Sequence, residues 1–540
     1  MKKLFNLSII FILSLFLFAC SASITIKKNS PTSVNINYDY EDQNIKASDT
    51  IRNFDLSFDT KDLQKYVKKI EKLLTKKNKL NALNAAYIDL IDYYDHIIDV
   101  YIIINTLHYA NGSLEDVTKA YKTIYKYYLS IIYEIARITK KIAESSYRDA
   151  FFSGVDKELL DEFINSYIDN TEVIEMMVEK KELEEKFINE KSDDKAKIDI
   201  LNEFISLNKY IAISQGYEDN QYIEYSDSEV YNRTYTEKDI DTLTNSYKRW
   251  LMCKPYNDKM FSFENFNINQ ETLDELTKLK YGDFFENKDL FDDFIEAMGT
   301  TYKQAYEDLF NNGYYLFSKY DDSNGIAFQT NSDDINLLFF GSGSNNLSTF
   351  AHEFGHYHAA YIDKTNHSYD FLETQSQASE VLFRLYINEN NKNLASMIYE
   401  ANYVQDLLYA INIGITSRYF EASAYKYESI SLDWAFSNTT REFGTYFQNG
   451  YYQAAINDNY YISYATGAIS SLLIYLYGKE HGFEAARDIY LSFVSYDGEG
   501  DFIEALESIG LRDPFAPETA EYIKQSLNNL YNAEWNYPRK

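Results

Sequence analysis

Residues 352–356 read His-Glu-Phe-Gly-His, and this short run dictates its own local structure. On a helix, two imidazoles four positions apart sit one above the other on one face, a spacing that lets both reach one metal ion. The chain has 7 His in all, and three of them, His352, His356 and His358, fall within seven residues. Clustering in so His-poor a sequence points to a site. The plainer alternative is a buried helix whose histidines merely satisfy hydrogen bonds.

Glu353 follows His352 by one position, about 100° around the helix. It therefore misses a metal held by the two histidines and still reaches a water beside it. His-Glu-x-x-His is the arrangement by which a zinc site is paired with a general base. Such a site needs a third protein ligand and an open position. Glu373 comes far enough downstream for one helix to end, turn and return. Glu380 lies about two turns further on the same face. One carboxylate suits the metal and the other suits orienting a ligand histidine; each, taken alone, also reads as a solvated surface Glu.

HEFGH followed by Glu373, Ser376 and Glu380 resembles the thimet oligopeptidase and oligoendopeptidase F family of zinc metallopeptidases. Ala297-Met-Gly, Tyr302, the helix through Phe310, Gly325-Ile-Ala-Phe328, Ile335–Phe340 and Tyr464-Ala-Thr-Gly467 have counterparts there, so the match runs over roughly 290–480. The resemblance implies His352, His356 and Glu373 as ligands of one Zn2+ per chain. It also implies Glu353 as general base, Glu380 in support, and Tyr464, with Tyr460 or Tyr461 near a second position. It further implies a mainly α fold of two helical lobes around a deep substrate channel, with a small sheet beside the metal helix, acting on short unfolded oligopeptides. The sequence departs from the pattern twice. His358 comes one residue earlier than the family's further His, and no His lies between His367 and His481, where the family places one to stabilise the transition state. A peptide-binding lipoprotein with a vestigial site is the rival expectation. A closed structural zinc site using His358 is a third, although His358 points about 200° away from His356 on a helix.

The rest of the chain is read in order. Lys2 and Lys3, an apolar run from Leu4 to Phe18, then Ala19-Cys20 read as a signal segment over 1–20 with Cys20 as a lipidation site; ordinary secretion is the alternative. This predicts an exported protein held at the outer face of a bacterial membrane by a lipid. Residues 21–50 read as a flexible tether. From 51 to about 255 apolar residues recur at helical spacing, as in Leu63, Val67, Ile70 and in Tyr87, Leu90, Tyr94, predicting an N-terminal helical lobe; 256–540 would be the catalytic domain. Cys253 reads as a packed, inert thiol. A net charge of −31 disfavours nucleic acid as a partner. The 52 Tyr fit half-buried helix seams, with an apolar body inside and a polar tip outside. Ile335–Phe340 reads as a strand beside the metal helix, an edge that an extended peptide would extend or else a strand buried on both sides. Ser348 or Thr349 is the expected N-cap of the metal helix. Oligomeric state has no sequence signal.

Overall fold

A computed structural model describes residues 33–34, 45–110, 115–166, 172–190, 193–251, 268–318, 326–329, 337–341, 346–362, 368–443, 455–496 and 501–533. The expected signal segment with Cys20, most of the tether, Cys253 and His367 lie outside these residues. Among the described residues no helix is long and apolar enough to cross a membrane.

The protein is mainly α, and its packing divides into two compact units. One takes in 1–189, 207–219 and 330–336; the other takes in 190–206, 220–329 and 337–540. Residues 220–251 thus fall in the second unit.

The first unit is built on α1 (Asp62–Leu74), α2 (Leu80–Ala110) and α3 (Glu115–Ala143). With only 5 Pro in the whole chain, little interrupts runs of this length. The expected stripe is the buried one: Leu63, Val67 and Ile70 on α1, Tyr87, Leu90 and Tyr94 on α2, Ile124, Ile131 and Ile135 on α3. Tyrosines fill the α2–α3 seam as expected. Tyr101 and Tyr128 stack at 5.0 Å, the Tyr93 and Tyr127 hydroxyls share a hydrogen bond of 2.6 Å, and Tyr87 pairs with Thr139 at 2.7 Å.

The second unit carries a sheet of β1 (Tyr314–Ser318), β2 (Ile326–Gln329) and β3 (Leu337–Gly341). The strand β3 is central, parallel to β1 and antiparallel to β2. Every residue of β3 is buried, as its unbroken apolar run requires. The described part of the expected strand, 337–340, is therefore not an edge; β2 ends the sheet on that side.

Four helices of this unit position the site: α4 (Leu347–Ile362), α5 (Tyr369–Asn391), α6 (Leu394–Ala424) and α7 (Tyr461–His481). One face of α4 is apolar and enters an aromatic core. Phe350 stacks on Phe284 at 3.8 Å and meets Phe291 edge-on at 4.8 Å, while Phe354 meets Tyr302 at 4.9 Å. That packing turns the His352, Glu353 and His356 side away from the aromatic core. The N-cap of α4 is Asn346, whose Oδ1 accepts from the Thr349 amide at 2.8 Å. Neither Ser348 nor Thr349 caps it, because the Ser348 hydroxyl is taken up by Tyr399 and Arg384.

Candidate metal centre

Helix α5 is the axis of the site. Both α4 and α7 press against it at a glycine. A Cβ on Gly355 of α4 would lie 2.8 Å from the Ser376 Cα, and one on Gly467 of α7 would lie 2.9 Å from Glu373 backbone and Cβ. Real Cβ atoms do not approach backbone so closely, so both positions need glycine for the helices to be this near. Ser379 adds a polar tie across the α4–α5 contact, donating to the Ala351 carbonyl at 2.7 Å and sharing a hydrogen bond of 2.8 Å with Tyr302.

This spacing brings His352, His356 and Glu373 together, with one donor atom from each within 4.8 Å of the others. The two imidazole rings stand 5.1 Å apart and nearly perpendicular. Glu373 is 1% exposed, and its Oε2 is buried without a hydrogen-bond partner. An orphaned carboxylate oxygen facing two imidazoles is costly unless a cation completes it. Nitrogen, nitrogen and oxygen from two histidines and a glutamate are a donor set that zinc accepts at catalytic sites. The residues present therefore fit zinc.

Glu380 accepts from His352 Nδ1 at 2.8 Å, which commits the other ring nitrogen to the centre of the site. Glu380 is itself held by the Tyr403 hydroxyl at 2.9 Å and by Arg384 at 3.2 Å. Arg384 lies over the Tyr403 ring, 3.7 Å from its centroid, and donates to Ser348 Oγ at 2.7 Å. Sequence reasoning missed this second layer. Arg384 had a signal, a cation one turn after Glu380. Tyr403 had none, because it arrives from another helix.

Of the three candidate tyrosines, two face this group. Tyr460 donates to Glu373 Oε1. Tyr464 packs edge-on against Tyr460 at 5.3 Å and feels the charges of both Glu373 and Glu353. Tyr461 turns instead toward Glu421 and Tyr409. His358 is fully buried between Tyr302, at 4.4 Å, and Tyr490, at 6.1 Å, outside the ligand group. It is a core residue and no fourth ligand.

The titration behaviour follows from crowding buried carboxylates. Burial, reinforced by the charges of Glu373 and Glu380, pushes the Glu353 carboxyl up to about 8. Burial likewise raises Glu373, against the pull of His352 and Tyr460. For Glu380 burial also opposes ionisation, but Arg384, His352 and Tyr403 outweigh it and hold the group ionised. Burial disfavours charged His352 too, yet the Glu380 bond and the surrounding carboxylates lift it to about 9. Burial and the neighbouring His352 drive His356 far down, keeping its ring neutral. A bound cation would favour the ionised forms of Glu353 and Glu373.

Most of the chain has a likeness among solved structures. A Bacillus anthracis structure assigned to oligoendopeptidase F superposes with a TM-score of 0.63 at 12% identity, covering 88% of this chain and 96% of its own. The chain has the oligoendopeptidase F fold. The PZ peptidase A structure with an inhibitor gives 0.59 at 12% identity, covering 87% and 96%. The oligoendopeptidase F of Enterococcus faecium gives 0.53 at 11% identity, covering 88% and 97%. No family model and no curated protein sequence matches the chain. The likeness in fold thus reaches well beyond residues 290–480, to which the sequence motifs were confined.

Proposed function

We propose that the protein is a zinc-dependent metalloendopeptidase that hydrolyses short unfolded oligopeptides. The observation that carries this reading is the His352–His356–Glu373 group, its histidines half-buried and its glutamate buried, with Glu353 beside it, on an oligoendopeptidase F fold. Zinc, when bound by these three side chains, supplies Lewis-acid polarisation of a carbonyl and acidification of water to a pKa near 7. Glu353 takes the proton of the attacking water and passes it to the leaving amine, a task open to a carboxylate that lies beside the metal ligands without being one of them. Glu380 fixes the His352 ring. Tyr460 holds Glu373, and Tyr464 offers its hydroxyl to the developing oxyanion. We further propose export and membrane attachment through lipid on Cys20.

A second reading is a peptide-binding lipoprotein with a weakly active or vestigial site. The absence of any His between His367 and His481 favours it. One experiment separates the two: a mixed library of short peptides incubated with the full chain in detergent, beside Glu353→Gln and beside chelator-treated enzyme. The peptidase reading expects cleavage that falls by roughly 10²–10⁴ in Glu353→Gln, with zinc retained, and disappears with chelator. A folded, zinc-loaded wild type that cuts nothing would leave the binding protein.

A further inference from the structure

Tyr460 and Tyr464 are delivered to the metal site by an unusual turn. Asp458 and Asn459, immediately before them, both have left-handed backbones, with φ of 60° and 67°. Asn and Asp tolerate this region better than most residues, but such conformations persist only where the surroundings enforce them. Two in succession call for outside support.

That support is a set of buried charges from other parts of the second unit. Arg233 donates to the Asn459 carbonyl at 3.0 Å and to Ser463 Oγ at 2.8 Å. Arg418 donates to Asn459 Oδ1 at 2.8 Å, and Asn459 Nδ2 donates to Asp227 at 2.8 Å. Asp227 pairs in turn with Arg233 at 2.8 Å and Arg418 at 2.7 Å, and Tyr222 donates to Asp458. The Arg233 side chain is 0% exposed, and its Nε lies 3.6 Å from Asp370, one turn before Glu373 on α5. A single guanidinium thus touches the turn, the first residues of α7 and the start of α5. Buried ion pairs of this kind contribute little net stability compared with apolar packing and are better understood as fixing one geometry.

We propose that Arg233 is a positioning residue for the metal centre: acting through the Asn459 turn, it sets the Tyr460 hydroxyl on Glu373. The kinetic part of this proposal rests on the peptidase reading; the metal-binding part does not.

The test is a double-mutant cycle read by zinc affinity, with Zn2+ alone titrated against a chromophoric chelator. Arg233→Lys keeps a cation beside Asp227 and Asp370 but loses the forked contact. Asn459→Gly keeps the left-handed backbone at no steric cost and the Arg233 bond to the carbonyl of residue 459, and it loosens the turn by removing the side-chain ties to Arg418 and Asp227, so it is the milder of the two changes. Tyr460→Phe removes the final link. Each single variant is expected to weaken zinc binding roughly tenfold, as loss of an outer-layer partner does. Combining Arg233→Lys or Asn459→Gly with Tyr460→Phe is expected to add nothing further. In a peptide assay, kcat falls in Asn459→Gly while KM stays near wild type. Wild-type zinc affinity in the folded single variants, or effects that simply add, would overturn the proposal. If zinc binds but no peptide is cut, the peptidase reading fails and the cycle still decides the positioning role. A wild type that binds no zinc overturns both.

Discussion

Two helix pairs, each buried between neighbours, are built on opposite chemistry. In the first unit the α2–α3 seam is mainly aliphatic and aromatic, with hydroxyl pairs such as Tyr87 with Thr139 and only scattered buried polar side chains, Asp99 and Asn105 among them. In the second unit α5 buries Asp370, Glu373, Thr374, Gln375, Ser376, Gln377, Ser379 and Glu380 almost without a break. Its partner α7 answers with Ser463, Thr466, Ser470 and Ser471, all fully buried. The first seam is a means of burying area. The second brings backbones close at Gly355 and Gly467 and keeps charged groups in place, at a cost of about 1–3 kcal/mol for each buried polar group left unpaired. Glu373 Oε2 is one buried atom of this second seam that has no hydrogen-bond partner, and a cation beside the two histidines would complete it.

The contrast is sharpened first at the candidate metal centre. Glu380→Gln is expected to weaken zinc binding by roughly 10–100-fold, since the amide no longer holds His352 Nδ1 as a charged acceptor; isothermal titration would show it. If zinc affinity is unchanged, the second seam is not organised around a metal. Gly467→Ala comes next. The new methyl group meets Glu373 backbone, which cannot yield as a side-chain tip would, so we expect a loss of about 1–3 kcal/mol in denaturant unfolding, with weakened zinc binding. Equal stability would mean that the helices separate freely and the close approach is incidental.

Buried charge also makes the second unit sensitive to pH. Burial, with Asp458 adding to it against the Asn459 main chain and Arg418, pushes the Glu421 carboxyl up to about 8 from an ordinary value of 4.5. Because the folded form holds its proton more tightly, this group stabilises the fold fully below about pH 4.5. That stabilisation is lost as pH rises towards 8, at no more than about 1.4 kcal/mol per pH unit. Glu421→Gln is expected to flatten this decline in unfolding measured between pH 5 and 8; an unaltered slope would place the sensitivity elsewhere. The smallest effect belongs to the first seam. Tyr87→Phe deletes a buried hydrogen bond to Thr139 and is expected to cost about 0.5–1.5 kcal/mol with zinc binding and cleavage untouched. Any change in zinc affinity there would erase the distinction between the two seams.

Much of the first unit was legible from the sequence, because an apolar stripe at helical spacing needs only one partner face to become a seam. The α5 seam was not legible in the same way. Thr374-Gln375-Ser376-Gln377 reads as a solvent-facing stretch, and periodicity has no means of showing that two glycines on neighbouring helices bury it. The α4 cap was misplaced for a related reason: Ser348 has the right chemistry, but Arg384 and Tyr399 compete for its hydroxyl from elsewhere in the fold.

What the sequence determined by itself was local. The four-residue spacing of His352 and His356, with Glu353 between them, is set by the pitch of a helix and holds in any fold that keeps the segment helical. The tertiary structure alone decided the rest. It brought Glu373 to the two histidines and faced Tyr460 and Tyr464, not Tyr461, toward them. It supplied Tyr403 and Arg384 behind Glu380, and it left His358 in the core. Those outcomes depend on how closely α4, α5 and α7 approach and on a left-handed turn held by Arg233. Contacts between residues far apart in the chain are fixed only when the packing is complete.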